Sequence, residues 1–189
     1  PASAHPSSNR PNILWISCED ISPNLGCYGD PHAVTPHLDK LASEGMRFTR
    51  AFTPAGVCAI VRSSVITGMY APSIGSQHMR SHIIPPPHVK AFPELLRAAG
   101  YFTTNRSKTD YQFEETPSIW NRQGTKHEDW RERSDPDQPF FSVINFTQCH
   151  ESKIRHSEAD HAKVLKAIGE EKTHNPTLVA DTIPDYLPN

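Results

Sequence analysis

The sequence predicts an α/β fold: a mixed, mostly parallel β-sheet sandwiched by helices. Two apolar runs, residues 12–18 and 139–146, have the length and the β-branched and aromatic content of buried parallel strands. Helical patterns lie between them at 36–44, 59–67 and 91–99. Strands that alternate with helices form parallel or mixed sheets. A chain of 189 residues is long enough for one such domain, although an apolar share of 36% is lean.

The segment after the first strand predicts a helix and then a second strand. The helix is expected to begin at Pro36 and to stop at Gly45, because proline suits the first helical position and glycine the end. Leu38 and Leu41 recur on one face of that helix and are expected to be buried. Residues 46–52 alternate between apolar and polar side chains, which predicts a strand.

The second half of the chain continues the alternation of helices and strands. The helix at 91–99 leads into a short strand at 101–105. Residues 111–138 are predicted to be a polar loop that connects this strand to the second apolar run. A last amphipathic helix is predicted around 159–168.

Composition divides the chain into three parts. Residues 1–11 are a polar leader, residues 12–154 carry the predicted sheet, and residues 155–189 are a weakly defined tail of the same domain. The segment Ala2–Ala4 has the small-x-small pattern of a signal-peptidase site. This pattern predicts export to a periplasmic, extracellular or lysosome-like compartment.

Charge and cysteine content exclude several classes of protein. A net charge of −2 provides no electrostatic footprint for nucleic acid or for an anionic membrane, so neither partner is expected. No apolar run approaches the ~18 residues of a membrane-spanning helix. Four cysteines are too few and too scattered for a disulfide framework, and Cys18 and Cys149 are expected to be buried in apolar runs.

Polar residues follow the predicted strands at the edge where open α/β sheets bind their ligands. Glu19 and Asp20 come directly after the first strand, and Lys108 follows the strand at 101–105. His150 follows the last strand. Adjacent carboxylates are hard oxygen ligands suited to Ca²⁺ or Mg²⁺, so Glu19 and Asp20 are candidate metal ligands.

A site for an anion is predicted at the same edge. The helix behind Cys58 should point its N-terminus there, and the free N–H groups of a helix N-terminus bind anions. Arg62 and Lys108 add fixed positive charge. The residues themselves therefore predict a site for a doubly charged tetrahedral anion, either sulfate or phosphate.

The segment Thr53–Gly68 resembles the signature of the sulfatase family. In that signature the cysteine of C-x-P-S-R is oxidised to formylglycine and becomes the nucleophile. Cys58 and Arg62 match this pattern. Ile60 stands in place of its proline and Val61 in place of its serine.

The resemblance extends well beyond this signature. Similar segments cover much of residues 10–154, at 10–16, 25–29, 35–45 and 48–52. The segments 107–111 and 145–152 are similar to the sulfamidase-like branch, which contains heparan N-sulfatase. The resemblance implies the alkaline-phosphatase-like fold, with residues 12–154 as the N-terminal part of the catalytic domain.

The resemblance also implies a metal site and a modified nucleophile. Glu19 and Asp20 are expected to hold a divalent cation, usually Ca²⁺, where the family more often has two aspartates. Cys58 is expected to join them as a ligand after its conversion to formylglycine. The hydrate of that aldehyde is the group that attacks sulfur.

Three further residues receive catalytic roles from the resemblance. Arg62 is expected to stabilise the hydrate and Lys108 to hold sulfate oxygens. His150 is expected to bind sulfate or to act as an acid or base. Family members often carry a histidine two residues after this lysine, and here that position is Asp110.

The implied function is hydrolysis of sulfuric esters or sulfamates on sulfated sugars, after a formylglycine-generating enzyme has modified Cys58. One alternative is a phosphomonoester or phosphonate hydrolase of the same superfamily. Another is a remnant that binds an anion or a glycan without catalysis, because Ile60 and Val61 weaken the modification signal. Sulfatases are commonly much longer and use a later Asp-Asn pair as metal ligands, so the chain is expected to be a truncated N-terminal portion.

Overall fold

The computed structural model describes residues 10–114, 118–125, 128–152 and 157–168. They belong to two compact units. The first unit combines the chain up to Glu19 with Ala51–Cys149, and the second combines Asp20–Arg50 with the chain from His150 onward. Most of the predicted leader and most of the predicted tail therefore lie outside the described residues.

The first unit is built on a four-stranded parallel sheet, which confirms the predicted α/β fold. Its strands are β1 Ile13–Cys18, β2 Phe102–Arg106, β3 Arg122–Gly124 and β4 Phe140–Phe146, in the order β1-β4-β2-β3. Three of them agree with the prediction to within one residue at each end. The prediction of a polar loop over 111–138 is wrong for β3, whose Arg-Gln-Gly sequence has no apolar pattern that could signal a strand.

The register brings the carboxyl ends of β1, β4 and β2 to one edge of the sheet. Cys18 at the end of β1 lies opposite Phe146 of β4, and Arg106 at the end of β2 lies opposite Ile144. Because every pair of neighbouring strands is parallel, the residues that follow each strand leave the sheet at the same edge. Glu19 is held there by its backbone N–H, which donates to the Phe146 carbonyl over 3.2 Å.

The predicted helices are confirmed, and one short helix is added. The second unit contains α1 Pro36–Glu44 and α5 Glu158–Ile168, and the first contains α2 Cys58–Thr67, α3 Ala71–Ile74 and α4 Phe92–Ala98. α2 stops at Gly68, whose φ of 66° lies in the left-handed region that glycine adopts without steric cost. Single 3₁₀ turns lie at Gly26–Tyr28 and Trp130–Glu132. None of the described helices is long and apolar enough to cross a membrane.

The core of the first unit lies between the sheet and the helices α2 and α4. Phe141 of β4 is 2% exposed and sits at its centre. The rings of Trp15, Phe92 and Trp120 surround it, with centroids 6.2, 5.2 and 6.1 Å from that of Phe141. Ile66 of α2 belongs to the same cluster. These contacts fix α2, and hence its first residue, against the sheet.

Two expectations about residues 36–52 are wrong. No residue of α1 is buried, and Leu38 and Leu41 are 39% and 65% exposed. Residues 46–52 contain no strand. Helical and alternating patterns show which side chains share a face, but they do not show what covers that face. Polar contacts hold α1 instead: Asp39 accepts hydrogen bonds from the Cys27 amide at 2.7 Å and from the Thr35 hydroxyl at 3.0 Å.

The expected burial of Cys18 and Cys149 is also wrong, since both thiols are exposed. β1 is the outer strand of the sheet, with no neighbour on its far side among the described residues. Its side chains Leu14 and Ile16 are therefore 47% and 51% exposed, and Cys18 follows them on the same face. Cys149 lies three residues beyond the end of β4 and leaves the covered sheet.

Candidate active site

Cys58 is the first residue of α2, at a helix N-terminus with a distorted entry. Val57 precedes it with a φ of 72°, a left-handed conformation that is strained for a β-branched residue. The thiol of Cys58 is half-buried, and its Sγ lies 3.6 Å from Oδ2 of Asp110. The predicted nucleophile position therefore opens onto the loop that follows β2, which we call the lysine loop (residues 107–110).

The backbone of the lysine loop is sharply turned. Ser107 and Asp110 have φ angles of 79° and 50°, in the left-handed region that non-glycine residues rarely adopt. Left-handed residues persist only where surrounding contacts determine them. Lys108 and Asp110 are thereby presented together, with Lys108 Nζ 3.4 Å from the Asp110 carboxylate.

Arg62 supplies many of the contacts that hold the lysine loop. Its Nε donates to the Thr109 carbonyl at 2.7 Å, and its Nη2 donates to the Lys108 carbonyl. Both terminal nitrogens lie 3.3 Å from Oδ1 of Asn145. Most of the donors of this guanidinium are thus engaged with the protein, so Arg62 is placed to position the loop.

Asn145 is a site residue that the sequence analysis missed. Its Nδ2 donates to the Lys108 carbonyl at 3.0 Å and to Oδ1 of Asn105 at 3.1 Å. Its Oδ1 accepts a 2.6 Å hydrogen bond from the hydroxyl of Ser17. Asn145 is 4% exposed within a largely apolar strand. A carboxamide in such a strand must find hydrogen-bond partners, and this was the available signal.

Glu19 is the centre of the buried charge at this edge of the sheet. It is 7% exposed, and its carboxylate lies 3.1 Å from Lys108 Nζ and 3.7 Å from Arg62 Nη1. An oxygen of Glu19 also lies within 4.8 Å of Cys58 Sγ. Burial alone lowers the pKa of Lys108, but the hydrogen bond and charge of Glu19, followed by Cys58, raise it above its ordinary value. Lys108 is therefore held in its charged form.

The structure thus brings four of the predicted site residues together in the first unit: Glu19, Cys58, Arg62 and Lys108. The other two, Asp20 and His150, belong to the second unit. There Oδ2 of Asp20 accepts a hydrogen bond from the Glu151 amide at 2.9 Å. Nδ1 of His150 lies 2.8 Å from the hydroxyl of Ser152.

A protein-family model matches the part of the chain that carries this cluster of residues. The sulfatase family model matches residues 11–129, which is more than half of the sequence. The chain belongs to the sulfatase family. The match contains Glu19, Cys58, Arg62 and Lys108, the residues that meet at the carboxyl edge of the sheet.

Individual sulfatases are similar over different shares of the chain. An ulvan-active sulfatase from Formosa agariphila is 44% identical over 157 residues, which is 77% of this chain and 26% of that protein. Human arylsulfatase A is 36% identical over 101 residues, which is 49% of this chain and 19% of that protein. The chain therefore spans about a quarter or less of the length of these curated relatives.

Solved structures share the alkaline-phosphatase-like fold of the sulfatases. A structure in complex with its substrate, D-glucosamine-2-N,6-O-disulfate, covers 85% of this chain at a TM-score of 0.65 and 19% identity. The match takes up 38% of that structure. At this level of identity the likeness establishes the fold.

Sulfatases generally use a metal ion together with formylglycine, and the first unit meets part of that requirement. Glu19 offers the hard carboxylate oxygens that Ca²⁺ or Mg²⁺ prefers. Those oxygens are already paired with Lys108 and Arg62. Ca²⁺ takes about six to eight oxygen ligands, so the described residues of this unit have the right donor type but too few donors.

Proposed function

We propose that the protein hydrolyses sulfuric esters on sulfated sugars, with Cys58 as the position of its nucleophile. The contact of Cys58 with the lysine loop carries this proposal, because it sets the thiol 3.6 Å from Asp110 and next to the ammonium of Lys108. A cationic side chain beside a nucleophile suits an anionic substrate. The ulvan-active relative supports a polysaccharide as the substrate.

Some residues of the first unit supply charge to the proposed site, and others hold the lysine loop in position. Lys108 supplies the fixed positive charge that sulfate oxygens require. Arg62 and Asn145 hold the carbonyls of the lysine loop and keep that charge in place. A formylglycine-generating enzyme would convert Cys58 into the aldehyde whose hydrate supplies the attacking hydroxyl. Asp110 stands where related sequences often have a histidine, and it accepts a hydrogen bond from residue 58.

Several finer features belong to the same proposal. Glu19 and Asp20 are proposed as ligands of a Ca²⁺ ion. His150 is proposed as a sulfate-binding or acid–base group. The segments 107–111 and 145–152 favour a sulfamate linkage as the alternative to an ester. Export of the protein is proposed from the small-x-small pattern near residue 3.

The test compares hydrolysis of 4-methylumbelliferyl sulfate and of 4-methylumbelliferyl phosphate by the protein co-expressed with a formylglycine-generating enzyme, in the presence of Ca²⁺. Cys58→Ala should abolish release of the sulfate ester. Lys108→Ala should lower kcat/KM by roughly 10²- to 10³-fold, since it removes charge at the reacting group. Lys90→Ala is the matched control, because Lys90 is an exposed lysine of the same unit, and its kcat/KM should be unchanged.

The outcome separates the competing functions. Faster turnover of the phosphate ester would identify a phosphomonoesterase of the same superfamily. Binding of a sulfated oligosaccharide without turnover, retained in Cys58→Ala and lost in Lys108→Ala, would identify an anion or glycan binder. Sulfate release that survives Cys58→Ala would contradict the assignment of the nucleophile.

A further inference from the structure

Two exposed cysteines, Cys18 and Cys149, come together at the carboxyl edge of the sheet. Cys18 is the last residue of β1 and lies opposite Phe146 in the parallel register. The Phe146 carbonyl accepts a hydrogen bond from the Glu19 amide at 3.2 Å, and Sγ of Cys149 lies 3.6 Å from the same oxygen. The backbone that follows Cys18 and the thiol of Cys149 therefore both contact this one carbonyl oxygen.

Cys18 pairs with Phe146 in the sheet, and the sulfur of Cys149 lies against the carbonyl of that same residue. The two cysteines therefore occupy neighbouring positions at the end of β1. Both residues belong to the first unit, so their proximity is a property of one compact body.

Cys58 begins α2, and the side chain of Cys18 lies on the other face of the sheet from that helix. Trp15 and Ser17 of β1 line one cavity together with Val61 and Val65 of α2. Alternate residues of a strand point to opposite faces, so Cys18 points away from α2 and from its first residue. The fold therefore presents Cys149, and not Cys58, as the partner of Cys18.

We propose that Cys18 and Cys149 form a disulfide under oxidising conditions, tying the carboxyl end of β1 to the segment that follows β4. This proposal is independent of the enzymatic activity. Its oxidant is a small-molecule disulfide such as oxidised glutathione. Both cysteines are solvent-exposed, so such a molecule can reach them.

The chemistry is two successive thiol–disulfide exchanges. One thiolate attacks a sulfur of oxidised glutathione, which forms a mixed disulfide and releases one glutathione thiolate. The second thiolate then attacks the protein sulfur of that mixed disulfide, closes the Cys18–Cys149 bond and expels the second glutathione. The two cysteines lose two electrons, oxidised glutathione gains them, and the two thiol protons pass to the released glutathiones.

Peptide mapping without reduction tests the proposal on the full chain after equilibration with oxidised glutathione and alkylation of the remaining thiols. We expect a cross-linked peptide pair that contains Cys18 and Cys149, on the order of tenfold more abundant than any other pairing, because neighbours in a fold react at high effective concentration. Cys27 and Cys58 should remain alkylated. The same reaction in concentrated urea should give mixed pairings.

Matched serine variants decide the result. Cys27→Ser should retain the cross-link, and Cys149→Ser should leave Cys18 as a glutathione adduct. Closing the bond should raise the midpoint of thermal unfolding by roughly 5 to 10 °C in the protein and in Cys27→Ser, but not in Cys149→Ser. Glutathione adducts on both cysteines, a Cys18–Cys58 pair, or an unchanged or lowered midpoint would overturn the proposal.

Discussion

Replacing Asn145 by leucine should destabilise the first unit more than any substitution of an exposed residue. Leucine has the same number and branching of side-chain heavy atoms, but it removes the bonds to the carbonyls of Arg106 and Lys108 and to Asn105, and it leaves the Ser17 hydroxyl without its acceptor. Each neutral hydrogen bond contributes about 1 kcal/mol net, and a buried group left unpaired costs about 1 to 3 kcal/mol. Since the half-buried groups regain water, we expect a loss of about 3 kcal/mol in the free energy of unfolding.

Urea denaturation followed by tryptophan fluorescence measures this loss, and the m-value should stay constant. Asn24→Leu is the matched control at an exposed asparagine, with an expected change within about 0.5 kcal/mol. Ser17→Ala in the Asn145→Leu background should cost less than it does alone, because its partner has already been removed. A loss below about 1 kcal/mol for Asn145→Leu, or additive effects of the two substitutions, would refute the role of Asn145 as the support of the lysine loop.

Three further predictions concern the nucleophile, its helix and acid stability. Conversion of Cys58 to formylglycine should be absent or partial by peptide mass spectrometry, and Ile60→Pro combined with Val61→Ser should increase it; near-complete conversion of the unchanged chain would show that proline is dispensable. Val57→Gly should stabilise the protein by about 1 kcal/mol in urea, because glycine relieves a left-handed backbone at an exposed side chain, and Val57→Ala should not. The side-chain hydrogen bond from Arg131 lowers the pKa of the buried Asp129 carboxyl below its ordinary value. The stability that this bond contributes is therefore present above about pH 4, and it is lost as the pH falls through the lowered pKa of the folded protein. Asp129→Asn should therefore be less stable at pH 7, and a stability gap that persists at pH 2 would contradict this assignment.

The helices and strands that follow from local sequence patterns were predictable. β1 and β4 are continuous apolar runs, and Pro36 and Gly68 mark the limits of their helices, so these features follow from local sequence. β3 was not predictable, because Arg-Gln-Gly becomes a strand only through its pairing with β2. The burial of Leu41 was predicted wrongly for a related reason, because helical spacing does not show whether a second layer covers the apolar face.

The charged residues of the candidate site were predictable, but the backbone geometry and the hydrogen bonds that hold them were not. Glu19 and Lys108 could be placed at one edge because parallel strands deliver their following residues to the same side. The contact of Asp110 with Cys58 depends on left-handed backbone angles at Ser107 and Asp110, and these residue types do not predict such angles. Arg62 was expected to face the reacting group, whereas most of its donors serve backbone carbonyls and Asn145.

Among the described residues β1 is the outer strand of the sheet, and this position has a practical consequence for handling the chain. Natural edge strands carry a lysine, a proline or a bulge that acts as a gatekeeper against pairing with another copy. β1 reads Ile-Leu-Trp-Ile-Ser-Cys and has none of these within it, while Leu14 and Ile16 are about half exposed. At the millimolar concentrations used for crystallisation or NMR, this strand is a template for self-association. A lysine introduced at Leu14 would put a charge on that surface without touching Glu19, Cys58 or the lysine loop.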